Sequence, residues 1–172
     1  AYIDFGGESC VPMIFRYDNL LVTQTMSKSR QLAGGRVGFG LGGKALIEAL
    51  NRVKYSFNPY NVGRLALIAG TAAMEDEEYF QSCCETIREN RAWLVEELEG
   101  LGFAVLPSSA NFVFARCGKI SGGELYRQLK ENGILVRWFD KDRIRNFVRI
   151  TVGSMEQLAA LADELARILE DM

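Results

Sequence analysis

The segment Thr25-Met26-Ser27-Lys28-Ser29-Arg30-Gln31-Leu32-Ala33-Gly34-Gly35-Arg36-Val37-Gly38 sets a lysine just after the β-rich run Leu20-Leu21-Val22-Thr23-Gln24-Thr25. Hydroxyls flank that lysine, and an arginine follows it eight residues later in a glycine-rich run. Each part has a chemical use. Burial and nearby positive charge depress a lysine pKa, supplying the free amine that attack on an aldehyde requires. Hydroxyls and a guanidinium fork match the oxygens of a phosphate dianion, and glycines let the backbone approach it. An isolated Ser-Lys pair reads first as a solvated surface loop, so the weight rests on the length of the pattern.

Outward from this segment, composition narrows the classes. Of 172 residues, 48% are hydrophobic and 24% charged, which excludes disorder and suits one domain of ordinary size or two small ones. Twenty basic residues against twenty-two acidic ones leave no surplus for a nucleic-acid backbone, while a small anion remains an admissible ligand. Apolar runs such as Leu65 to Ala69 are far too short to span a bilayer, and no signal-peptide pattern is present, so a cytoplasmic location is expected. Cys10, Cys83, Cys84 and Cys117 form no C-x-x-C pair and read as reduced, small core residues. Histidine is absent, which removes Ser-His and Cys-His nucleophile pairs and histidine metal sites. Catalysis must therefore run on Lys, Tyr, Cys or carboxylates.

The periodicity predicts an α/β chain in two parts. Ala1 to Phe5 reads as the tail of a strand, Leu20 to Thr25 as a buried strand, and Arg36 to Gly40 as another. A helical stripe opens at Gly43 and is broken by Asn58-Pro59-Tyr60-Asn61. Val62 to Met74 is apolar nearly all round, as in a helix buried on several sides or packed on another subunit. Glu77 to Glu99 is a long amphipathic helix. Beyond it the order is strand (103–106), strand (111–116), helix (121–131), strand (134–138), strand (147–152), helix (154–170). The expected boundary lies near Gly100, with residues 1–99 and 100–172 as the two domains.

With these residues in place, the chain resembles the pyridoxal-phosphate aminotransferases of the aspartate aminotransferase fold, and among them the histidinol-phosphate aminotransferases, whose Schiff-base segment looks like T-x-S-K-x-x-x-L-A-G-x-R-x-G. The likeness extends to A-Y-I-D-F at the start, P-Y-N-V at Pro59 to Val62, P-S-S-A-N-F at Pro107 to Phe112, G-I-L-V-R at Gly133 to Arg137 and V-R-I-T-V-G at Val148 to Gly153. It implies a partial large, cofactor-binding domain (incomplete sheet plus helices) over 1–99, followed by a small α+β domain.

The resemblance also implies roles. Lys28 would hold pyridoxal 5'-phosphate covalently and then shuttle the proton at the substrate Cα. Thr25, Ser27 and Arg36 would hold the cofactor phosphate, and Tyr2 would donate to the ring's phenolic oxygen. Arg149 would face the substrate, where other aminotransferases bind the α-carboxylate, and Arg137 would help bind the phosphate of histidinol phosphate. Asn111 lines the substrate pocket or caps the backbone after the Pro-Ser-Ser turn. Tyr60 and Asn61 lie near a subunit interface or serve as plain turn residues.

In the family, the Asp that pairs with the pyridine nitrogen would stand two places before Ala1. The resemblance therefore implies a C-terminal half, inactive alone, whose intact protein transaminates histidinol phosphate and 2-oxoglutarate in histidine biosynthesis. A missing N-terminal half and a second copy in a homodimer are the implied protein partners. A threonine-phosphate decarboxylase-like reaction, an aromatic aminotransferase and a non-catalytic fragment acting only by association are the alternatives.

Overall fold

Side chains along Phe112–Cys117 alternate in burial: Val113, Ala115 and Cys117 are buried, and Phe112, Phe114 and Arg116 are not. A period of two with one buried set marks a strand covered on a single face. In the computed structural model, which describes residues 1–172, this strand lies in the second of two compact units, Ala1–Cys84 and Glu85–Met172.

In the second unit, β3 (Phe103–Leu106), β4 (Phe112–Cys117), β5 (Arg137–Trp138) and β6 (Val148–Thr151) form an antiparallel sheet in the order β3-β4-β6-β5. Its buried face packs with the later turns of α3 (Glu77–Gly100), with α4 (Gly122–Glu131) and with α5 (Met155–Glu170). Leu94 and Leu98 of α3, Leu125 and Leu129 of α4, and Leu158, Leu161, Leu165 and Ile168 of α5 recur at helical spacing and join Val113, Ala115, Val148 and Ile150 in one core. Both later helices start at serines whose hydroxyls accept from the first turn: Ser121 from Glu124 N–H, and Ser154 from Gln157 N–H, with the Gln157 side chain returning the bond. Gly122 sits where a Cβ would come within 2.5 Å of the Arg145 carbonyl oxygen, so only glycine lets the chain pass here.

The first unit is thinner. Two strands, β1 (Leu21–Thr25) and β2 (Gly38–Gly42), pair antiparallel with Thr25 opposite Gly38. Around them lie two short 3-10 helices (Ile3–Phe5 and Val11–Phe15), α1 (Lys44–Phe57), α2 (Arg64–Glu75) and the opening turns of α3. No residue of α1 is buried, and in α2 only Gly70 is.

Several expectations are corrected. Ala1 to Phe5 contains a 3-10 turn, not a strand: Phe5 N–H bonds Tyr2 O at 3.1 Å and Gly6 N–H bonds Ile3 O at 3.3 Å, so the backbone is satisfied locally without a ladder partner. The second strand starts at Gly38, two residues late, because Arg36 has a positive φ of 54° that no strand accommodates. Of 134–138 only Arg137 and Trp138 join the ladder. The β1 strand is half-buried, since a two-stranded sheet cannot cover itself. Cys10 is exposed and Cys83 half-buried, whereas Cys84 and Cys117 are core residues; all are free thiols. Of the two expectations for α2, burial on several sides does not hold within its unit, where Leu65, Leu67, Ile68 and Met74 are exposed, and packing on another subunit stays open. The division between the two units, at Cys84 and Glu85, lies inside the long helix, where the boundary is expected at or before its end near Gly100.

Candidate active site

Within the first unit, the hairpin register and the Met26 N–H to Val37 O bond (3.1 Å) bring Arg36 back beside the Thr25–Ser27 end of β1. There the Thr25 hydroxyl donates to Ser27 Oγ at 2.9 Å, and Thr25 Oγ1 accepts from Ser27 N–H at 3.1 Å. The Arg36 guanidinium is exposed and donates to Ala33 O at 2.9 Å. Left-handed backbone costs a non-glycine residue about 1 kcal/mol, and strain of this kind persists where the surroundings require it.

Lys28 is exposed, in contrast to the buried amine expected after this strand. Its Nζ lies 5.9 Å from the centroid of the Tyr2 ring. Thus Tyr2, Thr25, Ser27, Lys28 and Arg36 are gathered at one end of one hairpin. The turn carrying the lysine is fastened on its C-terminal side. Ser29 is buried and its hydroxyl bonds the Asp4 carboxylate, which also accepts from Gln24 Nε2 at 2.9 Å. Arg30 bonds Ala73 O at 2.8 Å, pairs with Glu77 at 3.1 Å and stacks 3.5 Å over the Phe80 ring. Hydrogen bonds from Gln81 and then Arg30 hold the Glu77 carboxyl below the usual carboxylate range.

Within the second unit, the sheet face opposite the core carries the other candidates. Arg149 on β6 is opposite Phe114 on one side and opposite Arg137 of β5 on the other. Its guanidinium lies 5.2 Å from the Phe112 ring, and its Nε is buried with no hydrogen-bond partner. Arg137 is exposed and lies 5.2 Å from the Phe139 ring; the neighbouring Asp142 is taken by Arg145. None of the chain's ion pairs includes Lys28, Arg36, Arg137 or Arg149. Asn111 is half-buried at the head of β4, where its carbonyl accepts from Val152 N–H at 2.9 Å.

Two residues on α3 that sequence reading passed over secure these strands. Asn90, buried, donates to Gly153 O at 2.9 Å, and Arg91 donates to Ala110 O at 2.7 Å. Burial, and secondarily the charge of Arg88, lowers the Arg91 pKa from its ordinary value. Asp4 was likewise passed over, although it stands in the A-Y-I-D-F stretch.

Comparison with known proteins bears on this arrangement. Histidinol-phosphate aminotransferase 2 of Dechloromonas aromatica is 54% identical over 168 residues, which are 98% of this chain and 47% of that protein. The solved histidinol-phosphate aminotransferase of Clostridium acetobutylicum is 28% identical with a TM-score of 0.89, over 100% of this chain and 53% of that one. A histidinol-phosphate aminotransferase of Sinorhizobium meliloti, solved with pyridoxal-5'-phosphate, shares the fold at 24% identity and a TM-score of 0.84, covering 99% of this chain and 47% of its own. The chain spans about half the length of the curated relatives it matches. The model of the family described as aminotransferase class I and II matches residues 1–165, and the chain belongs to that family.

Proposed function

We propose that this chain is the cofactor-anchoring and substrate-reading portion of a pyridoxal 5'-phosphate-dependent histidinol-phosphate aminotransferase acting in histidine biosynthesis in the cytoplasm. The observation that carries the substrate class is the pairing of Arg137 with Arg149 on adjacent strands, neither with a carboxylate partner. Two cations side by side suit a substrate that bears a phosphate or carboxylates.

The donor set of the first unit fits the cofactor. Two hydroxyls, a guanidinium and an amine are grouped at the hairpin end, and Asp4 is already engaged by Ser29 and Gln24. When bound, the cofactor supplies a reactive aldehyde and a conjugated ring that delocalises charge left at a deprotonated carbon. Thr25, Ser27 and Arg36 bind its phosphate, and Tyr2 orients the ring through its phenolic oxygen. Lys28 Nζ anchors the cofactor and, when free, accepts and returns the proton at the substrate Cα. Arg149 binds the α-carboxylate, with Nε as one of its donors; Arg137 binds the substrate phosphate, and Asn111 borders the substrate. The exposed apolar residues of α2 serve association with further chain of the same protein or with a second copy in a homodimer.

The test uses the full-length protein. Turnover of histidinol phosphate with 2-oxoglutarate, together with borohydride fixation of the cofactor on Lys28 by mass spectrometry, is the expected result. Fixation on another residue, or indifference of turnover to the substrate phosphate, overturns the reading.

A further inference from the structure

Three segments meet at one carboxylate. Asp4 Oδ2 accepts from Gln24 Nε2 at 2.9 Å and from the Ser29 hydroxyl, tying the amino-terminal 3-10 turn to the end of β1 and to the turn that follows it. Each tied residue is a near neighbour in sequence of one of the proposed cofactor-binding residues: Asp4 lies two places after Tyr2, Gln24 one place before Thr25, and Ser29 one place after Lys28. Ser29 is 3% exposed, and among polar residues only Ser29 and Asn90 are buried. A buried hydroxyl that loses its acceptor keeps the full desolvation cost, so the Ser29 to Asp4 bond is held against local rearrangement. Lys28 itself is exposed and makes no ion pair, and the one contact its ammonium shows is the Tyr2 ring at 5.9 Å, so the buried Ser29 bond is the firmer tie on this turn.

We propose that Asp4 is a positioning residue for Lys28, setting the lysine turn against the Tyr2 segment through its paired bonds to Ser29 and Gln24. The inference rests on the cofactor reading above. Asp4 touches neither cofactor nor substrate in this scheme. Its carboxylate determines where the backbone of residues 28 and 29 sits, and therefore the arc that the amine sweeps beneath the Tyr2 ring, now 5.9 Å from Nζ. Arg30 does a parallel service from the other side by gripping α2 and α3, whereas the Asp4 bond to Ser29 joins the lysine turn to the segment that holds Tyr2.

The experiment compares the full-length protein with Asp4→Ala, Asp4→Asn and Ser29→Ala. Two readouts are used: amide hydrogen exchange at Gln31, whose N–H bonds Lys28 O at 3.1 Å, and the rate at which added pyridoxal 5'-phosphate becomes borohydride-fixable on Lys28. Loss of a hydrogen bond to a charged group corresponds to about tenfold or more in each, so Asp4→Ala is expected to accelerate exchange and slow attachment by about that factor. Asp4→Asn keeps an oxygen that accepts both bonds and is expected to restore most of the attachment rate, which a general loss of stability does not predict. Should Asp4→Ala fail to fold, Ser29→Ala carries the same expectation from the donor side. Unchanged exchange and attachment in folded Asp4→Ala or Ser29→Ala, beside normal attachment in the unsubstituted protein, overturns the positioning role alone. No attachment in the unsubstituted protein overturns the cofactor reading and this inference with it.

Discussion

Arg137 and Arg149 are cross-strand partners, opposite one another where β5 pairs with β6. Like charges in this relation destabilise a sheet by a few tenths of a kcal/mol to about 1 kcal/mol. In Arg149 the cost is increased by a buried Nε that has no acceptor in the chain. An anion seated on the pair would remove both penalties, which is what the proposed substrate-reading role asks of these two residues.

Substitution of Arg149 by Met is expected to stabilise the second unit while weakening substrate binding. The change removes an unsatisfied buried donor, a gain of about 1 kcal/mol, and forfeits a charged hydrogen-bond donor to the carboxylate, a loss of about 2 kcal/mol or more. Denaturant melts and the KM for glutamate test it; a less stable variant with unchanged KM contradicts the assignment.

Arg137→Ala separates the two anionic groups. We expect KM for a phosphorylated amine to rise about tenfold or more, with a smaller change for glutamate. Equal effects on both substrates remove the phosphate-reading role.

Lys28→Ala in the full-length protein is expected to reduce turnover by at least about a thousandfold, as loss of a nucleophile and proton carrier does. The cofactor is expected still to bind non-covalently through Thr25, Ser27 and Arg36, which dialysis and absorbance measure. Normal turnover excludes Lys28 from the chemistry.

Arg36 holds a backbone φ of 54°, a conformation that glycine adopts more readily than arginine. Arg36→Gly is expected to relieve about 1 kcal/mol of strain, offset by greater freedom of the unfolded chain, and to weaken cofactor retention about tenfold. Equilibrium dialysis of the variant against pyridoxal 5'-phosphate checks this; undiminished retention removes Arg36 from the phosphate cradle.

Acid tests the surface of α4. A hydrogen bond from Arg127, then one from Gln128, lowers the Glu124 carboxyl from 4.5 to about 2. Because the folded value is the lower one, any stability from this group is complete above the unfolded value and is lost as pH falls towards the folded one. Carbon NMR titration of Glu124 is expected to show the depressed midpoint, and Arg127→Gln to raise it. An ordinary midpoint in the unsubstituted chain contradicts the bond.

Much of this architecture is legible in the sequence. The helix from Gly43 is announced by the spacing of Leu46, Ile47 and Leu50, and α4 by Ser121 standing three residues before Glu124, because both signals are local. The amino-terminal segment was misread for the complementary reason. Tyr2, Ile3 and Phe5 have strand-like side chains, but a strand needs a neighbour, and residues 1–5 close their bonds among themselves and with Gly6. Residue types at the candidate site were likewise readable, whereas the exposure of Lys28 was not, since burial depends on what covers the hairpin.

The order of residues along the chain was sufficient to determine the chemistry on offer: an amine among hydroxyls, an arginine after glycines, two further arginines in strand-forming runs, and no imidazole. Those properties belong to short segments and survive without a fold. Only the tertiary structure decided that Arg137 and Arg149, twelve residues apart, share a ladder position, and that Asp4 reaches Ser29 across twenty-five residues. Such encounters depend on strand register and on which groups lose their water. Both are set by the packing of the whole unit, and no local periodicity carries them.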